Sequence, residues 1–296
     1  MNLGTPRPFV EAYEFAENRK LLPTRLSSRE LEELPVQIRT QAVFSAGVTE
    51  AEILDMVREE TALLVKGVSP GPGVYYDKPS FRLKLKKLIA AMGYEPETKD
   101  AGTIKDLRTD ARLNLIIDMQ IALARGFGQH KQQTTPAALL MFPCWELVRV
   151  APRRVPRGWR LIGAIIKQVD PNYWRNRFVK AGGELRKGRM VALKSDPVWA
   201  ALSRFGVPWP PFDYNSGMGL RQINGREAME LGVTEGAGRT GDTERGPSGR
   251  GQGNDGPKLT DGLQAKVGGM EEQLRSSLAS ILGPLYKVGK TTAGLR

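Results

Sequence analysis

Between positions 196 and 218 the chain carries Pro197, Pro208, Pro210 and Pro211 among Trp199, Phe205, Trp209, Phe212 and Tyr214. Each proline fixes φ at about −65° and removes a backbone donor, so Pro208, Pro210 and Pro211 are barred from a helix interior and from a central strand. The aromatic residues are of types that end up buried or at interfaces. The segment is therefore rigid and irregular, yet it must be covered. It contains no obvious catalytic group.

The elements that could cover it are helical. Leu113, Ile116, Ile117, Gln120, Ile121 and Ala124 recur at i, i+3, i+4, i+7 spacing, which predicts a core helix over 109–127 that Gly126 and Gly128 end. Ser27 with Glu30, and Thr49 with Glu52, read as capping boxes. Pro35 breaks the first segment. The second places Ile53, Leu54, Val57 and Leu64 on one face and closes at Gly67. Ser80 is expected to cap a helix over 81–92, with Phe81, Leu85, Leu88, Ile89 and Met92 inward and Gly93 as an αL terminator.

Past residue 140 the texture changes. Glu146-Leu-Val-Arg-Val150 reads as a short strand, Gly182, Gly183 and Gly188 punctuate a hairpin ending in Met190–Leu193, and residues 221–232 suggest a last short helix. Residues 234–258 hold eight glycines and nothing apolar larger than Ala237, too little to order a fold. Leu263, Val267, Met270, Leu274, Leu278, Ile281 and Leu285 then follow at steps of three or four. They form the seam of an amphipathic helix that needs a groove or a copy of itself. The expected class is α+β. A helical domain spans 1–140, and a small basic, aromatic-rich α+β region spans 141–233 and packs on it. A disordered Gly-rich linker (234–258) and a tethered docking helix (259–296) follow.

Charge is concentrated. Residues 146–194 hold thirteen Lys or Arg against Glu146, Asp170 and Glu184, a balance of +10, while the stretches before and after are each +1. Arg149, Arg153, Arg154, Arg157 and Arg160 are interleaved with prolines and Trp159; Arg175, Arg177 and Lys180 flank Tyr173, Trp174 and Phe178; Arg186, Lys187 and Arg189 follow. Guanidinium groups bind phosphates bidentately and stack on aromatics, which suits contact with a nucleic-acid backbone without base reading. The structural reading of the same arginines is internal pairing with carbonyls and tryptophans. Cys144 and His130 are each alone of their type, so they supply neither a supported nucleophile–base pair nor a transition-metal set. No cofactor, metal or small-molecule substrate is expected, and no enzymatic activity. One cysteine forms no internal disulfide, which suits a reducing compartment. No run of about 18 apolar residues is present, and the first residues lack a secretory layout, so no membrane association is expected.

Three stretches carry a resemblance. Arg112-Leu-Asn-Leu-Ile-Ile-Asp-Met-Gln-Ile-Ala-Leu-Ala-Arg-Gly-Phe-Gly128 is similar to the long helix of phage Mu F-like minor head proteins, also called head morphogenesis proteins. Glu146-Leu-Val-Arg149, Arg154-Val-Pro-Arg157 and Trp174 fall where that family has its strand and arginine–proline motif. Gly188-Arg-Met-Val-Ala-Leu-Lys-Ser-Asp-Pro-Val-Trp199 and the segment from Pro208 to Met218 resemble its ending. The likeness covers about residues 40–232. The family's Cys-x-Cys is replaced here by Ser216-Gly217-Met218, and its His after the arginine–proline motif is absent, so no metal or redox role carries over. The resemblance implies a structural clasp of Trp199, Trp209, Pro210, Pro211 and Phe212. It also implies a low-copy head protein near the portal, with portal, major capsid or scaffold protein and double-stranded DNA as partners. Such a protein is located in the virion head, and in the host cytoplasm during assembly. Two alternatives stand beside it: a phage-borne metal-independent nuclease or toxin-like effector, and a plain non-specific nucleic-acid-binding module.

Overall fold

The computed structural model describes residues 9–67, 77–152, 157–162 and 165–233. Helix α1 (Val10–Glu17) comes first and buries Ala12 and Ala16. Strands β1 (Lys20–Leu21) and β2 (Ala42–Val43) pair in parallel, and helices α2 (Ser28–Glu32) and α3 (Val36–Gln41) connect them. Ser27 caps α2: its side chain accepts from the Glu30 N–H, and the Glu30 carboxylate accepts from the Ser27 N–H at 2.9 Å. Pro35 separates α2 from α3. Arg19, buried, donates to the Ala42 carbonyl. Residues 18–55 form one compact unit, and residues 9–17 with 56–233 form the other. Helix α4 (Ala51–Lys66) begins in the first and ends in the second. It buries Ile53, Leu54, Val57 and Val65, while Leu64 is half-buried.

In the larger unit, α5 (Lys78–Ala91) starts earlier than Ser80 predicts. Asp77 is its cap, accepting from the Ser80 N–H at 2.7 Å, because Pro79 fits the first turn of a helix. Phe81, Leu85 and Ile89 are buried, but Met92, at the C-cap, is exposed. Helix α6 (Asp110–Gln133) packs against α1 and α5 and runs six residues past the expected stop. Gly126 and Gly128 do not end it. They are buried contact points: a methyl group on Gly126 would overlap the Pro210 carbonyl oxygen, and one on Gly128 would meet the Phe9 ring and Ala12. The cost of glycine inside a helix is offset here by close approach.

Helix α7 (Pro136–Met141) leads into β3 (Cys144–Arg149). A separate antiparallel hairpin, β4 (Trp159–Ile162) with β5 (Ile165–Gln168), is one that periodicity did not suggest. Helix α8 (Tyr173–Lys180), strands β6 (Leu185–Arg186) and β7 (Arg189–Leu193), helix α9 (Val198–Leu202), strand β8 (Met218–Ile223) and helix α10 (Gly225–Glu230) complete the described chain. The sheet has the order β6-β7-β3-β8 and is antiparallel throughout. Residues 218–223 are thus strand, and only 225–230 are helix, with Asn224 as cap. Cys144, Trp145, Glu146 and Leu147 are buried in succession because β3 is covered on both faces. Trp145 and Leu147 join Trp174, Phe178, Trp199, Leu202 and Phe212 on one face; Cys144 joins Val191, Ile223, Ala228 and Leu231 on the other.

The chain is therefore α+β, with a mainly helical N-terminal half and a small sheet. The Gly-rich linker and the seam from Leu263 to Leu285 lie outside the described residues. Among the described residues no helix is long and apolar enough to cross a membrane.

Candidate functional site

The segment 196–218 is short helix and turns, as its prolines require. Trp199 and Phe212 are fully buried, Pro211 is buried, and Trp209 and Pro210 are half-buried. Trp199 Nε1 donates to the Leu193 carbonyl at 2.8 Å, and its ring meets Trp145 edge-on at 5.9 Å. Trp209 lies edge-on to Phe127 at 5.4 Å and beside His130 at 5.0 Å. The Pro210–Pro211 bond is cis.

Asp213 is the polar centre of this segment. Its carboxylate accepts from Arg177 at 2.9 Å, from Arg157 at 3.2 Å and from the Tyr214 N–H at 2.7 Å, with Arg204 at 3.5 Å. The Asp213 side chain is 3% exposed, while those of Arg157, Arg177 and Arg204 are 39%, 23% and 38% exposed. Arg177 also donates to the carbonyls of Leu202 at 2.9 Å and Phe212 at 3.3 Å, and its guanidinium lies 5.1 Å from the Trp174 ring centre. Arg157 donates to the Tyr214 carbonyl at 3.1 Å. Helix α8, the residues before β4 and the clasp are thereby tied through one carboxylate.

A second ionic group crosses the sheet. Register places Arg221 directly across from Glu146, and Arg189 is two residues before the other partner, Val191. Arg189 bonds both Glu146 oxygens, at 2.8 and 2.9 Å, and Glu227 on α10 at 2.7 Å; Arg221 bonds Glu146 at 2.6 Å and Glu227 at 3.1 Å. Burial raises the Glu146 pKa, but the bonds from Arg189 and Arg221 outweigh it, so this carboxyl titrates below its ordinary value.

Of the basic residues nominated from sequence, Arg149 bonds the Ser216 carbonyl at 3.3 Å, Arg186 pairs with Glu184 at 2.6 Å, and Arg157, Arg177 and Arg189 belong to the two groups above. Arg175, Lys180 and Lys187 are exposed. Arg160 lies on β4, and Arg153 and Arg154 lie outside the described residues. Reasoning from sequence missed Asp213, Arg204, Arg221 and Glu227. A carboxylate between Phe212 and Tyr214, in an aromatic and proline-rich stretch, was the available signal for Asp213.

The third cluster surrounds Trp145. Lys194, 4% exposed, donates to the Gln133 carbonyl at 2.7 Å and to Gln222 Oε1 at 2.9 Å; burial lowers its pKa to about 8. The Trp145 indole donates to Gln133 Oε1 at 2.7 Å. His130 is 5.6 Å from the Trp145 ring, and burial, then Lys131 and Lys194, lower its pKa to about 4. Cys144 is 0% exposed, so no thiol reaches solvent for nucleophilic work. Among the described residues no three His, Cys, Asp or Glu gather as a metal site.

His130 gives a pH prediction. Between pH about 6.5 and about 4 the unfolded chain protonates this imidazole while the native one stays neutral, so stability falls as pH falls through that window. Urea midpoints measured at pH 7.5 and 5 should converge in His130→Gln relative to the parent; an unchanged difference would refute the assignment.

Finally, α7 buries none of its residues: Leu140 is 84% and Met141 63% exposed. Comparison of the chain with family models, curated proteins and solved structures found no match.

Proposed function

We propose that the chain is a non-enzymatic structural component of a tailed-phage head, acting in head morphogenesis near the portal and touching packaged DNA without sequence preference. The observation that carries this reading is that Arg149, Arg157, Arg177, Arg186 and Arg189 of the basic window bond to carboxylates and carbonyls, with Asp213 and Glu146 at the centres of two ionic groups. Groups committed in this way hold a shape rather than turn over a substrate. The order of sequence motifs supports the head assignment. The uncovered apolar helix α7 supports docking on a neighbour, since contiguous exposed apolar surface marks interaction sites. The proposed partners are portal, major capsid or scaffold protein, with the seam from Leu263 to Leu285 as a second docking element. Composition of purified heads tests the assignment.

DNA contact falls to the exposed cations. Reversing Arg175, Lys180 and Lys187 to Glu is expected to weaken duplex binding alike for all sequences. It should also flatten the dependence of log K on log salt by about 0.9 per lost phosphate contact. Arg157 is unsuitable for such a probe because it holds Asp213. Unchanged affinity in the triple variant would remove DNA from the proposal and leave the window facing protein.

A further inference from the structure

The β4–β5 hairpin stands apart from the other strands. It forms a sheet of its own, and among the described residues neither strand makes extensive contact with any other helix or strand. Only its base is fixed. The Gly158 carbonyl accepts from the N–H groups of Val169 and Asp170, both at 2.8 Å, and Arg157, just before it, bonds Asp213 and Tyr214. A two-stranded ribbon with so little packing is marginal in water and gains from a partner.

The register points to the partner's chemistry. Trp159 stands opposite Gln168, Arg160 opposite Lys167, Leu161 opposite Ile166 and Ile162 opposite Ile165. Opposed residues share a face and faces alternate along a strand, so Arg160, Ile162, Ile165 and Lys167 belong to one face. Ile165, 72% exposed, and the exposed Lys167 mark that face as the outward one. Two cations directly across a ladder destabilise it. No acidic residue occurs from 158 to 169, and Lys167 bonds no carboxylate among the described residues. A polyanion that meets both cations offsets that repulsion.

We propose that β4–β5 is a DNA-binding arm that lays this face into the major groove, with Arg160 and Lys167 on the phosphates of its two walls and Ile165 at the base edges. The major groove, about 12 Å wide, admits a two-stranded ribbon, whereas the minor groove, about 6 Å wide, must be opened to do so. The arm rests on the DNA contact of the proposed function and names the element that makes it.

The test is duplex binding by the full-length chain, read by fluorescence anisotropy across a salt series. Arg160→Gln with Lys167→Gln is expected to bind about tenfold more weakly at about 0.1 M salt, and to flatten the slope of log K against log salt by about 0.9 for each lost contact. Removing two exposed charges elsewhere, Lys87→Gln with Arg226→Gln, should change affinity by about twofold at most. Ile165→Ser keeps both charges, so it should weaken binding about threefold with the salt slope unchanged. Methyl green, which occupies the major groove, is expected to displace the parent chain, and distamycin, which occupies the minor groove, is not. Displacement by distamycin alone would overturn the proposal. Equal affinity and slope in the parent and in a folded Arg160→Gln/Lys167→Gln chain would overturn the arm and leave DNA contact to Arg175, Lys180 and Lys187. A parent chain that binds no duplex would overturn the arm and the DNA contact together.

Discussion

Asp213→Ala is expected to lower unfolding free energy by about 3 kcal/mol, one of the largest losses available from a single polar residue in this chain. Removing one partner of a buried ionic group costs about 3–5 kcal/mol when the remaining charges stay buried. Here the arginines are 23–39% exposed, so water screens part of that cost and the lower end applies. The variant also loses the acceptor for the Tyr214 N–H. Asp213→Asn keeps the shape and one acceptor oxygen, so it should lose less, and the difference isolates the charge. Equilibrium urea unfolding followed by tryptophan fluorescence measures both. A loss under about 1 kcal/mol for Asp213→Ala would mean that the three arginines do not depend on it.

Gly126→Ala is expected to be at least as damaging, although alanine is the better helix former. The added methyl overlaps backbone, the Pro210 carbonyl oxygen, and crowds the Trp209 ring, so either α6 or the clasp must move. Overpacking of this kind costs about 1–3 kcal/mol, and more where the neighbour is backbone rather than a side chain that can turn away. Gly225→Ala is the internal control: nothing lies within 4 Å of the new methyl, and the change should fall within about 1 kcal/mol of the parent. Similar thermal midpoints for the two variants would contradict the close approach of α6 and the clasp.

What could be read from sequence divides along the distance over which each signal acts. The Ser27 cap, the turn glycines Gly67 and Gly93, the apolar stripe of α6 and the strand character of residues 146–149 are set by neighbours within a turn or a strand, and all are present, although β3 is buried in succession rather than in alternation. Gly126 and Gly128 misled because a terminator and a point of close approach use the same residue; only the partner, Pro210 or Phe9, tells them apart. Asp77 displaced Ser80 as cap because Pro79 belongs inside the first turn. The β4–β5 hairpin had a legible signal, two apolar runs separated by residues 163–164, that arginine counting obscured. The Asp213 and Glu146 groups were beyond local reading. Apart from Arg204, close in sequence to Asp213, the arginines that hold the two carboxylates stand 36 to 75 residues away, and only the strand register and the path of the clasp bring them together. The basic window therefore looked like an open polycation, whereas Arg157, Arg177, Arg186 and Arg189 within it are paired with carboxylates.

The central claim is that this folded unit is built into a phage head, and quantitative mass spectrometry of purified proheads and mature heads tests it most directly. The account predicts the full-length chain at low, fixed copy number per particle, and its depletion from particles when residues 259–296 are deleted from an otherwise folded chain. Absence of the full-length chain from both proheads and mature heads would contradict it.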